Sequence, residues 1–246
     1  MLKSQKHYYW IGGGLWAALM VVGLVVLLMG AGHGPRMAED DEDMVFAEAD
    51  LLTASEAELA RRKILKTFVG QIDVTSGRIT MTDPIKSPDR PPIDADIPLG
   101  GYTVTLYTPN PAGGVIGLAV VELGEGEATH WETASLEGTM LDGLSILEVD
   151  QVLVIGDAKA VALLGQEALN ADELFKEAAT KPRHIMHNVK TEANTLQVAL
   201  IDPDFQTFSA ATYLGYDDNG NLLTIVRDFG YFDSERTFGG PTHTGE

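Results

Sequence analysis

The sequence contains no cysteine, and that absence excludes several kinds of chemistry. Disulfide bonds, thiolate nucleophiles, cysteine-ligated zinc and lipid attachment through cysteine are all ruled out. The absence fits either side of a membrane, so it does not assign the protein to a compartment.

Basic residues are scarce. The 246 residues include 17 Lys and Arg against 36 Asp and Glu, which gives a formal net charge of -19. Binding to nucleic acid depends on lysine and arginine that neutralise phosphates, so nucleic acid is excluded as a partner. The same anionic field opposes docking on anionic lipid and favours a protein partner with a basic surface.

Complete catalytic motifs are also missing. There is no Gly-x-Ser-x-Gly elbow, no phosphate-binding loop and no dinucleotide fingerprint, and we predict no cofactor. Asp228-Phe229-Gly230 matches the magnesium-binding triplet of protein kinases, but the other kinase motifs are absent. We therefore predict that this triplet ends a strand, with Phe229 buried and Gly230 in a turn.

Metal sites are not indicated either. Residues 217–220 (Asp-Asp-Asn-Gly) match only part of a calcium loop and are more typical of a hairpin turn. His184 and His187 follow Pro182 in a segment that we expect to be extended, so they would point to opposite faces of a strand. Since no third zinc ligand is nominated, we predict no metal.

The triplet His130-Trp131-Glu132 places a base beside an acid. Adjacent residues of a strand point apart, so we predict no acid–base pair here. Trp131 is expected to be a core anchor whose indole N–H bonds a neighbour.

One long apolar run is present, at residues 10–29, and it carries no charge. At about 1.5 Å per residue, twenty helical residues span about 30 Å, the thickness of the hydrocarbon core of a bilayer. We predict a single transmembrane helix embedded in the lipid bilayer. A cleaved signal peptide stays open, because Gly30-Ala31-Gly32 offers small residues for cleavage.

The flanks of this run predict its orientation. Lys3 and Lys6 precede it, while Arg36 is the only cation close behind it. Because lysine and arginine favour the cytoplasmic side, residues 1–9 should be a cytoplasmic tail and the main domain should lie outside the cell membrane. Gly14 and Ala18 are spaced to let two such helices self-associate.

The rest of the chain divides into a linker, a domain and a tail. Residues 30–52 contain five consecutive acids at 39–43 and should form a flexible linker. Residues 53–233 should form the domain, followed by a loose tail at 234–246. With 45% hydrophobic residues, the chain can build a core.

The domain is predicted to be α+β, mainly antiparallel sheet with a few flanking helices. Thr53 and Glu56 have capping-box spacing for a helix over 54–68 that stops at Gly70. Alternating residues on both sides of 75–77 indicate a hairpin. Further helices are expected after Asp157 and at 170–179, and a loop at 83–98. Further strands are expected at 102–107, 115–123, 195–201, 208–216 and 222–229, with a short element at 129–136 and a strand or strand pair at 146–155.

Short motifs follow one another in a characteristic order between residues 75 and 229. They are Ile-Thr-Met-Thr-Asp-Pro at 79–84, Gly-Tyr-Thr-Val at 101–104, Trp-Glu-Thr-Ala at 131–134, Val-Asp at 149–150, Tyr-Leu-Gly-Tyr-Asp at 213–217 and Asp-Phe-Gly at 228–230. In these motifs the chain resembles a bacterial family known only as domain of unknown function number four-two-four-one. That family implies no activity. Its glycine-rich stretch after Val-Asp is replaced here by the apolar residues 151–155.

The motifs nominate two sets of residues. The candidate structural anchors are Trp131, Tyr102, Gly215, Gly220, Phe229 and Gly230. The candidate site acids are Asp150, Asp157, Asp217 and Asp228, for which turn and cap chemistry is the competing interpretation.

Three functions follow as hypotheses. The leading one is a membrane-anchored domain that binds or interacts with a partner outside the cytoplasmic membrane. The second is a hydrolase or metal-dependent enzyme that uses the four candidate acids. The third is an immunity-like inhibitor that uses its acidic surface against a basic toxin.

Overall fold

Two antiparallel β-sheets pack face to face in the computed structural model. It describes residues 46, 48–84, 87, 89–109, 115–138, 152–168, 183–203 and 211–232. The predicted span 10–29, Gly14 and Ala18, Asp150, the predicted helix 170–179 and the tail 234–246 lie outside the described residues. Within the described part, no helix is long and apolar enough to span a bilayer.

The order of the strands places distant segments side by side. The larger sheet has six strands in the order β1-β3-β4-β10-β9-β5, and the smaller sheet has four in the order β2-β6-β8-β7. The strands are β1 (Ile64–Val74), β2 (Ile79–Thr82), β3 (Gly100–Pro109), β4 (Leu118–Glu122), β5 (His130–Thr133), β6 (Leu153–Asp157), β7 (His184–Lys190), β8 (Thr195–Ile201), β9 (Ala211–Tyr216) and β10 (Leu222–Asp228). The prediction of an α+β domain built mainly from antiparallel sheet is confirmed.

Three apolar clusters account for the layering. The main core lies between the sheets and joins residues such as Ile72 and Val104 of the larger sheet to Ile155 of the smaller one. A helix, α3 (Ala158–Ala168), packs its Val161 and Leu164 on the other face of the smaller sheet. Two short helices, α1 (Ala49–Thr53) and α2 (Glu56–Arg61), cover the outer face of the larger sheet together with Phe46.

The predicted helix over 54–68 is wrong beyond Arg61. The chain forms α1 and α2 and then enters β1, whose residues 64–68 pair with β3. Lys63 adopts a left-handed conformation with φ 59°, which ends the helical path. Isoleucine, threonine and phenylalanine suit a strand as well as a helix stripe, and pairing with β3 decides between the two.

The predicted capping box is displaced by two residues. Ser55, not Thr53, is the N-cap of α2, and its hydroxyl accepts a hydrogen bond from the Glu58 N–H at 3.3 Å. Thr53 is instead the last residue of α1. Because α1 and the buried Phe46 belong to the fold, the linker predicted for 30–52 is too long at its C-terminal end.

Gly70 is not a helix stop but a bulge in β1. The register with β3 shifts between Phe68 and Gly70. A Cβ at Gly70 would lie 2.6 Å from the Cγ of Met186 in β7. Glycine is therefore required here by the close approach of the second sheet.

The hairpin predicted around residues 75–77 is also wrong. The strands on both sides exist, but β1 belongs to the larger sheet and β2 to the smaller one. Residues 75–77 instead carry the chain from one sheet to the other. The hairpin at 217–220 is confirmed, because β9 and β10 pair and the Gly220 N–H bonds the Asp217 carbonyl at 3.0 Å.

Candidate functional site

A cleft of about 350 Å³ opens on the outer face of the larger sheet. We call it the Trp131 cleft. One wall is α1, the opposite wall is the connection 123–129 between β4 and β5, and the sheet forms the floor. The residues that line the cleft include Leu52, Tyr107, Glu122, Glu125, Glu127 and Trp131.

The floor of the Trp131 cleft is aromatic and firmly held. Tyr107 is 2% exposed, and Trp131 packs against the same apolar cluster. Phe46 lies with its ring centroid 4.8 Å from the Trp131 ring and 4.8 Å from the Tyr213 ring. Trp131 itself is half-buried and packs on this outer cluster, not in the core between the sheets.

Gly215 allows Trp131 to approach β9 closely. A Cβ at this position would come within 2.8 Å of the Trp131 Cη2 atom and 2.7 Å of the Thr224 Cγ2 atom. Distances under about 3 Å are not tolerated between packed carbons, so only glycine fits. The site therefore depends on a residue of β9 that does not line it.

The charged residues that the structure describes in the lining of the Trp131 cleft are all glutamates. They are Glu122, at the end of β4, and the exposed Glu125 and Glu127 on the adjoining connection. Carboxylates beside aromatic rings suit a cation, which gains both Coulomb attraction and a cation–π contact.

An ammonium group of the chain itself already makes these contacts. The Nζ of Lys66 lies 3.7 Å from the Glu122 Oε1 and 5.6 Å from the centroid of the Tyr107 ring. Lys66 reaches these two residues from β1. A lysine side chain of the chain itself is thus held on this face by a glutamate and an aromatic ring.

The same surroundings act on Tyr107. Burial raises the pKa of its hydroxyl, the Lys66 ammonium acts in the opposite direction, and Glu122 adds to the rise. Tyr107 is therefore a neutral hydroxyl at physiological pH. It can offer a hydrogen bond without adding charge to the cleft.

Asp157 has a structural role at the junction between the sheets. Its Oδ2 accepts hydrogen bonds from the N–H groups of Thr75 and Ser76 at 2.6 and 2.7 Å. Its Oδ1 accepts from the Lys159 N–H at 2.8 Å and so caps α3, as predicted. Burial acts to raise the pKa of Asp157, but these hydrogen bonds outweigh it and the pKa is lowered.

Asp217 and Asp228 are not brought together. Asp217 organises the β9–β10 turn through the N–H groups of Asn219 and Asn221. Asp228 ends β10 and accepts from the Gly230 N–H at 2.8 Å. Since a strand rises about 3.4 Å per residue, the two lie about 20 Å apart, too far to share a water or a metal.

The remaining candidate, Asp150, lies outside the described residues, and Asp157 belongs to the other sheet. No group of three or more His, Asp or Glu that could hold a metal occurs in the described part of the chain. His184 and His187 both lie in β7, an extended strand as expected.

One expectation about pairing is wrong. His130 and Glu132 are two residues apart on β5, so they share a face, and the His130 Nε2 lies 3.2 Å from the Glu132 Oε1. Only adjacent residues of a strand point apart, whereas residues two apart point the same way. Both side chains are about half exposed, and water screens such a pair.

The other candidate anchors occupy structural positions. The Tyr102 hydroxyl donates to the Pro98 carbonyl at 2.5 Å, and Phe229 is 1% exposed. Gly220 and Gly230 have φ of 79° and 68°, which other residues rarely adopt. Together they hold turns and the core and leave the cleft to other residues.

The sequence motifs did not nominate the glutamates of the Trp131 cleft or the buried Arg227 as candidate functional residues. The Arg227 Nη1 donates to the Thr212 Oγ1 at 2.8 Å, and burial, together with the charge of Arg90, lowers the pKa of Arg227 to about 9. Gly-Glu-Gly-Glu at 124–127 was the available signal, because glycine between acids indicates an exposed loop.

No family model matches the chain, and no curated protein or solved structure matches it either. The resemblance to domain of unknown function number four-two-four-one stays a prediction.

Proposed function

We propose that this protein is a single-pass membrane protein that presents its β-rich domain outside the cytoplasmic membrane and binds a basic segment of a partner protein. The observation that carries the binding part is the Trp131 cleft, which is lined by three glutamates and by the aromatic residues Tyr107 and Trp131. The anchoring part rests on the uncharged run at residues 10–29.

The cleft suits a side chain better than a whole ligand of drug size. Its volume of about 350 Å³ is near the lower end of small-molecule pockets. A lysine or arginine side chain can place its apolar stem along Leu52 and Tyr107 and its charge beside Glu125 and Glu127. The net charge of -19 would speed the approach of such a partner.

The immunity-like inhibitor is one form of this proposal, because a basic toxin would use the same acidic cleft. The hydrolase alternative gains no support from the described residues. The Asp157 carboxylate already accepts the hydrogen bond that caps α3. Asp217 and Asp228 lie at opposite ends of the β9–β10 hairpin. We therefore propose binding and no reaction.

The test is titration of the full-length protein, in neutral detergent, with an acetylated tetralysine peptide. At about 0.15 M salt the electrostatic screening length is about 8 Å, so acids far from the cleft contribute little to the affinity for the peptide. We expect saturable binding by calorimetry. The double variant Glu125→Gln/Glu127→Gln should bind about tenfold more weakly, because it removes two charges that face the ligand.

A matched control removes the same charge elsewhere. Glu192→Gln/Asp89→Asn neutralises two exposed acids outside the cleft and should leave the affinity unchanged. An equal loss in both double variants would show that only net charge matters and would overturn the cleft as the site. Absence of any saturable binding would also overturn it.

A further inference from the structure

The first half of β1 is an open sheet edge. Among the described strands, β3 is the only one that pairs with β1. The second half of β1 lies against the smaller sheet, because the Gln197 N–H of β8 donates to the Asp73 Oδ2 at 3.0 Å. Residues 64–68, before the bulge at Gly70, have β3 on one side and no strand of the described part of the chain on the other.

This edge also exposes large apolar side chains. Phe68 is 62% exposed and Leu65 is 55% exposed, on opposite faces of the strand. On the outer face, a groove of about 510 Å³ runs between Phe68, Thr105 and Leu59 of α2. Exposed apolar residues beside an unpaired edge are typical of a protein interface.

Charge decides which partner fits. The chain carries -19 overall, yet acids and bases balance around this edge. Arg61 and Arg62 pair with Glu58, Arg62 also pairs with Asp50, and Lys66 pairs with Glu122. A strongly basic or acidic partner would gain little here, whereas two copies of this chain bring no local excess of like charge together at the edge.

The sequence of β1 is also complementary to itself. In an antiparallel pair about a two-fold axis through Thr67, Lys66 of each copy lies opposite Phe68 of the other. The apolar stem of the lysine then packs on the phenyl ring, while its ammonium keeps its contact with Glu122. An axis through Lys66 would oppose two ammonium groups, and an axis through Phe68 would run into the bulge.

We propose that the protein forms a symmetric dimer in which the β1 edges of two copies pair antiparallel about Thr67, which joins the two six-stranded sheets. The inference is independent of the Trp131 cleft, whose titration can succeed or fail without it. It also does not require self-association through Gly14 and Ala18.

Because the chain has no cysteine, one introduced thiol reports directly on the pairing. Thr67→Cys in the full-length protein places two thiols face to face across the axis, within reach of a disulfide. Mild oxidation should convert most of this variant to a covalent dimer, about fivefold more than Thr108→Cys. Thr108 is a matched control because it lies opposite Leu65 on β3, inside the sheet. Equal cross-linking of both variants would overturn the proposal.

A second measurement does not depend on a cysteine variant that folds. Sedimentation in neutral detergent should give a dimer mass for the unmodified protein and a monomer mass for Phe68→Lys. Leu99→Lys is the control, because Leu99 is 71% exposed but precedes β3, away from the free edge. It should remain a dimer. The same mass for all three proteins would overturn the proposal.

Discussion

The Asp157 carboxylate ties three elements together with one side chain. It accepts hydrogen bonds from the turn that joins the sheets and from the first turn of α3. A charged acceptor that satisfies three backbone N–H groups is among the stronger polar interactions in a fold, and a neutral substitute leaves donors in the turn unsatisfied.

Asp157→Asn should therefore lower the free energy of unfolding by about 2–3 kcal/mol, because an amide N–H₂ group replaces one acceptor oxygen. Urea denaturation of the full-length protein measures this loss. Glu192→Gln, at an exposed turn, should leave the midpoint unchanged. A midpoint for Asp157→Asn equal to that of Glu192→Gln would contradict the assigned role.

The same carboxylate predicts a dependence on pH. The pKa of Asp157 is lowered in the folded protein, so its contribution to stability is complete above the ordinary aspartate pKa of about 3.9. That contribution is lost as the pH falls toward the folded-state pKa. The difference in stability between the unmodified protein and Asp157→Asn should thus shrink below about pH 4, and denaturation midpoints taken from neutral to acidic pH would reveal it.

At the scale of elements, the sequence predicted strands best where alternation and turn chemistry agree. The segments 195–201 and 213–229 are examples, since Asn219-Gly220 marks the hairpin and apolar residues alternate beside it. It failed at 54–82. Residues 64–68 fit a helix stripe and a strand alike, and the turn at 75–77 looks the same whether its strands pair or separate into two sheets.

The candidate site was less predictable for a related reason. Glu122 and Trp131 come from different strands. They meet on one face only because β4 pairs with β10, β10 with β9, and β9 with β5. No local pattern encodes that meeting. The four acids chosen from motifs proved to be caps and turns wherever the structure describes them, which is the competing interpretation weighed from the sequence.

The packing between β9 and β5 allows a prediction at the scale of elements. Gly215→Ala should destabilise the protein by about 1–3 kcal/mol, because the added Cβ must displace Trp131 or Thr224. It should also weaken tetralysine binding, since Trp131 forms the floor of the cleft. Gly101→Ala, where the nearest atoms are 4.0 Å away, is the control and should change neither quantity.

At the scale of the whole molecule, the chain should fractionate with membranes. External protease should digest the β-rich domain in intact cells while a tag fused before residue 1 survives, because the cations that flank residues 10–29 favour a cytoplasmic N-terminus. A variant that lacks residues 1–38 should be soluble without detergent. Protection of the domain from external protease, or equal solubility of both forms without detergent, would contradict the proposed anchoring.

Phe46 and the helices α1 and α2 pack on the outer face of the larger sheet. They also precede β1 in sequence, so tension applied from the N-terminal side reaches them before any strand. These residues should therefore detach first and expose Tyr107 and Trp131 while both sheets stay folded. Tension on the chain would then remove one wall of the Trp131 cleft.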